Sequence, residues 1–142
     1  MGATLIMGAG IIVLKKFKEE YKVLCLYEEK GKSAIRKYDL TKGALDKGET
    51  FLEAAVRETY EESGVKNLKF TWGKRSIERG KLRMFIAETK DNPKILKNPK
   101  TGKYEHDGFE WNTLEVAHIL MPDYLKPFIL WVSKTIKGAS NV

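Results

Sequence analysis

Residues 43–65 read GALDKGETFLEAAVRETYEESGV, and they gather Glu58, Glu61 and Glu62 on one stretch of helix in a chain whose formal net charge is +7. Thr50 and Glu53 have the T-x-x-E spacing of a capping box. Phe51, Leu52, Ala55, Val56 and Thr59 recur on one side, and Gly64 follows where a left-handed residue would end the helix. At about 100° of rotation per residue, the three glutamates fall within an arc of roughly 100° beside that apolar side. Like charges three and four residues apart repel by roughly a few tenths of a kcal/mol per pair, and by more when partly buried. Something positive must compensate them. Arg57 supplies part, and hard divalent cations with oxygen ligands can supply the rest. The plainer alternative, for any helix with three glutamates, is a solvated charged face.

Working outward, apolar β-rich runs occur at TLIMGAGIIVL, YKVLCLY, LKFTWGKRSI and LRMFIAET, separated by short polar or glycine-containing segments such as KKFKEE, EEKGKS and ERGK. A second helix is predicted towards the C-terminus, with Leu125, Phe128, Ile129, Val132 and Ile136 on one face. It starts near Lys126, as Pro127 suggests, and Gly138 lies behind it. NTLEVAHIL supplies a further short helical turn. Strands interleaved with helices point to an α/β layered domain. The stretch ETKDNPKILKNPKTGKYEHDG, residues 88–108, is expected to be a mobile surface loop near a site. Gly8 and Gly10 lack the third glycine of a dinucleotide-binding loop, because Val13 stands in its place, so close strand packing is their expected role.

Composition bounds the rest. The 142 residues suit a single domain, 1–142, with 42% hydrophobic and 32% charged residues, a globular profile. The single cysteine, Cys25, has no partner in the chain, which suits a reducing, cytoplasmic setting. The N-terminal apolar stretch lacks a preceding basic region and is too short to span a bilayer, so no membrane is implied. Twenty-six Lys plus Arg against 19 Asp plus Glu favour anionic partners, which include nucleotides, nucleic acid and acidic membrane faces.

The acidic helix and its flanks match G-x5-E-x7-R-E-U-x-E-E-x-G-U, with Gly43, Glu49, Arg57, Glu58, Glu61, Glu62, Gly64 and Val65 in register. From average composition, such a match arises by chance on the order of once in ten million chains of this length. The pattern resembles the signature of the Nudix hydrolases, with one departure: Thr59 stands where a bulky aliphatic residue is usual. The resemblance implies an α/β/α sandwich with a mixed sheet, and a loop, helix, loop unit whose glutamates bind Mg²⁺ or Mn²⁺ against a substrate diphosphate. It casts Glu58, Glu61 and Glu62 as metal ligands joined by the Gly43 carbonyl, with one glutamate helping to activate water. It also casts Arg57 and Glu49 as the ion pair that orients them.

The segment YEHDGFEW, residues 104–111, resembles a stretch shared by asymmetric diadenosine tetraphosphate hydrolases and bacterial RNA pyrophosphohydrolases. That likeness makes Glu105 a further metal ligand or the catalytic base, on a loop facing the helix. The implied substrates are dinucleoside polyphosphates or the 5′-triphosphate or cap end of RNA. Nucleoside triphosphates, nucleotide sugars and diphosphoinositol phosphates remain sibling readings, and a binding module without catalysis is the reading from another class. Lys42, His106, Arg83 and Phe109 are candidate substrate contacts. His106 also reads as a plain loop residue, and Phe109 and Trp111 also read as core residues of a short strand. Lys47 is expected to be solvated, and Lys81, Arg75 and Arg79 are further basic candidates. Thr41 stands where these enzymes often carry a proline, and Met84 where they often carry a tyrosine. Oligomeric state is not encoded in any of these motifs.

Overall fold

The computed structural model describes residues 5–30 and 35–140. Thr4, at the head of the first expected strand, and residues 31–33 of the expected turn EEKGKS lie outside them. In chain order the elements are β1 (Gly8–Phe17), β2 (Glu20–Lys30), β3 (Ile35–Asp39), β4 (Thr41–Ala44) and α1 (Phe51–Ser63). There follow β5 (Ser76–Arg79), β6 (Leu82–Glu88), β7 (Gly108–Asn112), α2 (Leu114–Leu120) and α3 (Lys126–Ser140), with a 3₁₀ turn at Asp123–Leu125 before α3.

The strands form one mixed sheet, in which β1 and β6 run parallel and the other pairs antiparallel. A strand has only two edges, and that fact fixes how the sheet splits. β6 occupies one edge of β1 from Gly8 to Leu14, so β4 (on Gly8–Ile11) and β2 (on Leu14–Phe17) share the other. β7 occupies one edge of β2 from Val23 to Tyr27, so β1 and β3 share its opposite edge. β1 and β2 therefore begin as a hairpin and diverge, with β3 and β4 filling the gap. Where β4 enters, backbones crowd: a Cβ on Gly10 would lie 2.1 Å from the Thr41 carbonyl oxygen, and one on Gly8 3.1 Å from the Gly43 carbonyl oxygen. The two glycines serve close strand packing, as their sequence context suggests.

Alternation along the strands sends side chains to two layers. Ala9, Ile11, Val13, Leu24, Leu26, Phe85 and Ala87 pack beneath α1 with Ala54, Ala55 and Val65. Ile12, Leu14, Val23, Cys25, Met84 and Ile86 face the opposite way, against Ala117, Leu125, Phe128, Ile129 and Val132 from α2, the 3₁₀ turn and α3. Each fully buried Leu, Ile or Phe contributes roughly 1.5–3 kcal/mol of transfer free energy. The architecture is an α/β/α sandwich.

Several expectations change. LKFTWGKRSI is not one strand: Lys69 makes a lone bridge to Glu88, the Gly73 N–H closes a turn onto the Phe70 carbonyl, and Gly73 takes φ 86°. Only Ser76 onward forms β5, and Trp72 turns into the core against Tyr21. On α1 the buried stripe runs through Ala54, Ala55, Thr59, Glu62 and Ser63, while Val56 is exposed. The face is thus rotated from the expected one, because the two alanines, not Val56, fit the narrow space over β1 and β4. α3 starts at Lys126 but continues through Gly138 to Ser140. Residues 89–107 do not hang free. Asp91 accepts from the Lys66 and Asn67 N–H groups, and the Lys94 N–H donates to Ser63 at the end of α1.

Burial pushes the Cys25 thiol up to about 12. The folded chain should therefore resist a disulfide-exchange reagent at neutral pH and yield one reactive thiol in concentrated guanidinium chloride. Because the folded value lies above the ordinary 9.0, this group costs stability as pH rises from 9.0 towards 12. A thiol that reacts at full rate in the native protein would contradict this packing.

Candidate active site

α1 begins at a complete capping box. The Thr50 Oγ1 accepts from the Glu53 N–H at 3.1 Å, and the Glu53 carboxylate accepts from the Thr50 N–H at 2.9 Å. It ends at Gly64, in the left-handed region at φ 71°, whose N–H donates to the Tyr60 carbonyl. Between these caps the stripe Ala55, Thr59, Glu62 has the i, i+4, i+7 spacing of a buried face. Glu62 is therefore carried into the core side of the helix, 8% exposed. Glu58 and Glu61 lie progressively nearer solvent, with side chains 15% and 26% exposed.

Arg57 organises the two outer glutamates. Its Nε donates to Glu49 Oε2 at 2.7 Å, and one terminal nitrogen donates to Glu49 Oε1 and to the Ala44 carbonyl, both at 2.9 Å. The other terminal nitrogen donates to Glu58 Oε1 at 2.9 Å and Glu61 Oε2 at 3.1 Å. All five N–H donors of the guanidinium are used. The Glu49 hydrogen bonds raise the Arg57 pKa and, from the other side, hold the Glu49 carboxyl below its ordinary range. Glu49 also accepts from the Asp46 N–H at 2.7 Å, so one ion pair closes the loop that precedes the helix.

β4 lies directly against this row. A Cβ on Gly43 would come within 2.2–2.5 Å of the Glu58 carboxyl group, so only glycine admits that contact. The Lys42 N–H donates to Glu62 Oε1 at 2.9 Å. Two departures from the family pattern, Thr41 and Thr59, meet: the Thr59 hydroxyl donates to the Thr41 hydroxyl at 3.1 Å, which donates to the Ile11 carbonyl at 2.8 Å. Where two apolar groups would pack, a buried hydroxyl chain ties α1 to β4 and β1, with each hydroxyl proton placed.

The long loop brings Glu105 and His106 to the same place. Ligand-capable atoms of Glu62, Glu105 and His106 lie within 4.8 Å of one another. Glu58, Glu61, Glu62, Leu96, Asn98, Pro99, Glu105 and His106 enclose a cavity with about 10 Å³ for the centre of a water-sized sphere, room for one water or one ion. Burial pushes the Glu62 carboxyl up to about 9; the Lys42 N–H opposes this, and the charges of Asp39, Glu105 and Glu58 add to it. Burial likewise raises Glu58, despite Arg57. This is an oxygen-rich donor set with uncompensated charge around an ion-sized space, and it fits a hard divalent cation.

The other candidates divide. His106 is buried, with Nε2 3.5 Å from Asp39 Oδ2. Lys42 directs its ammonium at Asp39 as well, at 3.1 Å, and over the Tyr124 ring at 5.8 Å from its centre. Burial would raise the Asp39 carboxyl, but the His106 and Lys42 interactions bring it below the usual range. Phe109 pairs across from Leu26 on β7 and packs into the α1-side core. Arg83 pairs with Glu78 and stacks over Phe51 at 4.2 Å, and it does not line the acidic cavity. Lys47 is exposed, as expected. Neither Asp39 nor Tyr124 stands out as a candidate in the sequence: Asp39 lies on the strand that leads into the signature, and Tyr124 lies outside every motif. Tyr124 lines a second pocket of about 560 Å³ with Lys42, Gly43, Arg79, Lys81 and Pro127. That volume lies within the range of small-molecule sites.

The family profile described as the NUDIX domain matches residues 5–132, so the chain belongs to the Nudix hydrolase family. Members of that family generally use divalent metal ions. An RNA pyrophosphohydrolase from Brucella anthropi is 28% identical over 116 residues, which is 67% of this chain and 64% of that protein's own length. Among solved structures, a binary complex of a C. elegans Ap4A hydrolase superposes with TM-score 0.70 at 19% identity, covering 94% of this chain and 99% of that one. The MutT protein of Methanosarcina mazei Go1 superposes with TM-score 0.63 at 21% identity, covering 96% and 99%. The NUDIX domain of Shewanella oneidensis NrtR complexed with ADP ribose gives 0.58 at 12% identity, over 98% and 90%. At these identities the structural likeness is one of fold.

Two outcomes follow from the geometry. Arg57→Lys keeps the charge but cannot form the fork to Glu49 while holding Glu58 and Glu61. Its divalent-cation affinity, measured by calorimetry, should fall about 10–100-fold. The Glu62 carboxyl binds its proton more tightly in the folded chain, so metal-free stability from this group is present at low pH and declines as pH rises from 4.5 to about 9. Glu62→Gln should flatten that decline in thermal melts across the same window, and an unchanged pH profile would refute the assignment.

Proposed function

We propose that the protein hydrolyses a P–O–P bond of a nucleoside polyphosphate with the help of Mg²⁺ or Mn²⁺. The observation that carries this reading is the ion-sized cavity walled by Glu58, Glu61, Glu62 and Glu105. In this reading those four carboxylates and the Gly43 carbonyl hold the metal, and Arg57 with Glu49 keeps Glu58 and Glu61 turned inward. A divalent ion bound there would neutralise phosphate charge and lower the pKa of bound water. Glu105, the most accessible carboxylate of the set, accepts the proton of the attacking water. An O–P bond forms as the bridging P–O bond breaks and the leaving phosphate departs with its pair of electrons.

The substrate we favour is a dinucleoside polyphosphate of the diadenosine tetraphosphate type, or the 5′-triphosphate or cap end of RNA. Gly43 touches Glu58 on one side and lines the 560 Å³ pocket on the other, so a phosphate chain held at the acidic cavity would deliver its nucleoside to that pocket. There Tyr124, 56% exposed, offers a stacking face, and Lys42, Arg79 and Lys81 offer positive charge. The RNA reading draws on the net charge of +7 and on the pyrophosphohydrolase relative. Among the described residues no helix is long and apolar enough to cross a membrane, and the lone buried thiol suits a cytoplasmic setting.

A panel of diadenosine polyphosphates, triphosphorylated RNA, capped RNA, nucleoside triphosphates and nucleotide sugars, resolved by chromatography, tests the substrate and the point of cleavage. Glu61→Gln should leave the unfolding midpoint near wild type and lower turnover by at least about 100-fold on the preferred substrate. Near-normal turnover in that variant, or no Mg²⁺-dependent phosphate release from any compound by wild type, would overturn the hydrolase reading.

A further inference from the structure

Glu105 lies outside regular secondary structure, on an exposed stretch, and shares the acidic cavity with the carboxylates of Glu58, Glu61 and Glu62. Repulsion alone would swing it to solvent. What opposes that motion is a small hairpin just before it. Lys97 and Tyr104 bridge, the Asn98 N–H donates to the Lys103 carbonyl at 2.7 Å, and the Gly102 N–H donates to the Asn98 carbonyl at 2.8 Å. Gly102 takes φ 70° at the turn, a conformation that favours glycine. The Asn98 side chain works inside this hairpin and out of it at once. Its Oδ1 accepts the Lys100 N–H at 2.8 Å, and its Nδ2 donates to Glu105 Oε1.

That pairing settles which way the amide points. A backbone N–H can only donate, so the atom facing Lys100 is the oxygen and the nitrogen is left for the carboxylate. Among the described residues, no other side chain hydrogen-bonds the Glu105 carboxylate. The donor is also neutral. A lysine or arginine in the same place would hold Glu105 by charge and compete with a cation for its oxygens, whereas an amide orients one oxygen and leaves the negative charge available.

We propose that Asn98 is a positioning residue: the Lys97–Tyr104 hairpin holds its amide so that Glu105 stays aimed into the acidic cavity. The proposal rests on the hydrolase reading given above and adds a residue outside the family signature. Asn98→Ala should lower kcat about 10–100-fold with KM changed by less than about threefold. Its unfolding midpoint should stay within about 4 °C of wild type. Asn98→Ser should behave likewise, since its hydroxyl can still accept the Lys100 N–H but is too short to reach Glu105.

The decisive comparison is a double-variant cycle with Glu105→Gln. If Asn98 acts through Glu105, Asn98→Ala added to Glu105→Gln produces no further loss. An equal loss in both backgrounds means a merely structural role and overturns the proposal, as does wild-type kcat in Asn98→Ala. A readout independent of turnover comes from carbon NMR of glutamate labelled at the carboxyl, in metal-free protein. The Glu105 resonance, assigned through Glu105→Gln, should shift in Asn98→Ala while those of Glu49 and Glu53 stay in place. An unmoved Glu105 resonance would overturn the proposal even if wild type hydrolyses its substrate. A wild type inactive on every polyphosphate would sink the hydrolase reading itself, and the resonance would then decide whether Asn98 holds Glu105.

Discussion

One guanidinium holds the site together. Arg57 satisfies all five of its donors on Glu49, Glu58, Glu61 and the Ala44 carbonyl, so it closes the loop before α1 and steadies two acidic side chains on the helix itself. Three glutamates so close together are tolerable for the fold because this cation lies among them, partly buried and planar, with a geometry that lysine cannot copy. The third, Glu62, gains no such partner. It takes a single backbone N–H from Lys42 and sits deepest, and burial pushes its carboxyl up to about 9. The cluster is thus only partly compensated, and all three of its carboxylates line the cavity together with Glu105.

The cluster needs β4 close by, and small residues provide the room. Gly10 lets Thr41 approach, Gly43 lets the Glu58 carboxyl approach, and Ala54 and Ala55 let α1 settle onto the split in the sheet. That split follows from the competition for strand edges, and it places Lys42 and Gly43 beneath the helix at the level of Glu58 and Glu62. The hydroxyl chain from Thr59 through Thr41 to Ile11 runs through the same seam. A side chain at Gly10 would push β4 off β1, and one at Gly43 would displace the Glu58 carboxyl from its place against β4.

Charge is segregated around this seam. A chain with a net charge of +7 carries its acidic hole beside a pocket bearing Lys42, Arg79 and Lys81 and behind a hairpin bearing Lys97, Lys100 and Lys103. On the proposed reading, such a field would draw a polyphosphate towards the rim while the carboxylates hold a cation at the centre. Asp39 lies between the two regions: it takes the Lys42 ammonium on one side, away from the acidic cavity, and on the other faces His106, which lines that cavity.

The helix, its caps and the register of the Nudix signature were legible in the sequence, because capping, turn-by-turn spacing and charge repulsion are local properties of a dozen residues. The strands YKVLCLY and LRMFIAET, the start of α3 and the packing role of Gly8 and Gly10 were legible for the same reason. What the tertiary structure decided is everything set by neighbours distant in the chain. LKFTWGKRSI reads as a strand, yet a turn at Gly73 lets Trp72 fill the core. The buried face of α1 is the alanine side because β1 and β4 leave only that much space. Arg83, a plausible phosphate contact by composition, is drawn to Glu78 and Phe51 by the pairing of β5 with β6. Asn98 and Tyr124 carry no motif and Asp39 only precedes one, since their roles arise only when a loop, a strand end and a 3₁₀ turn converge, and local periodicity holds no record of such long-range contacts.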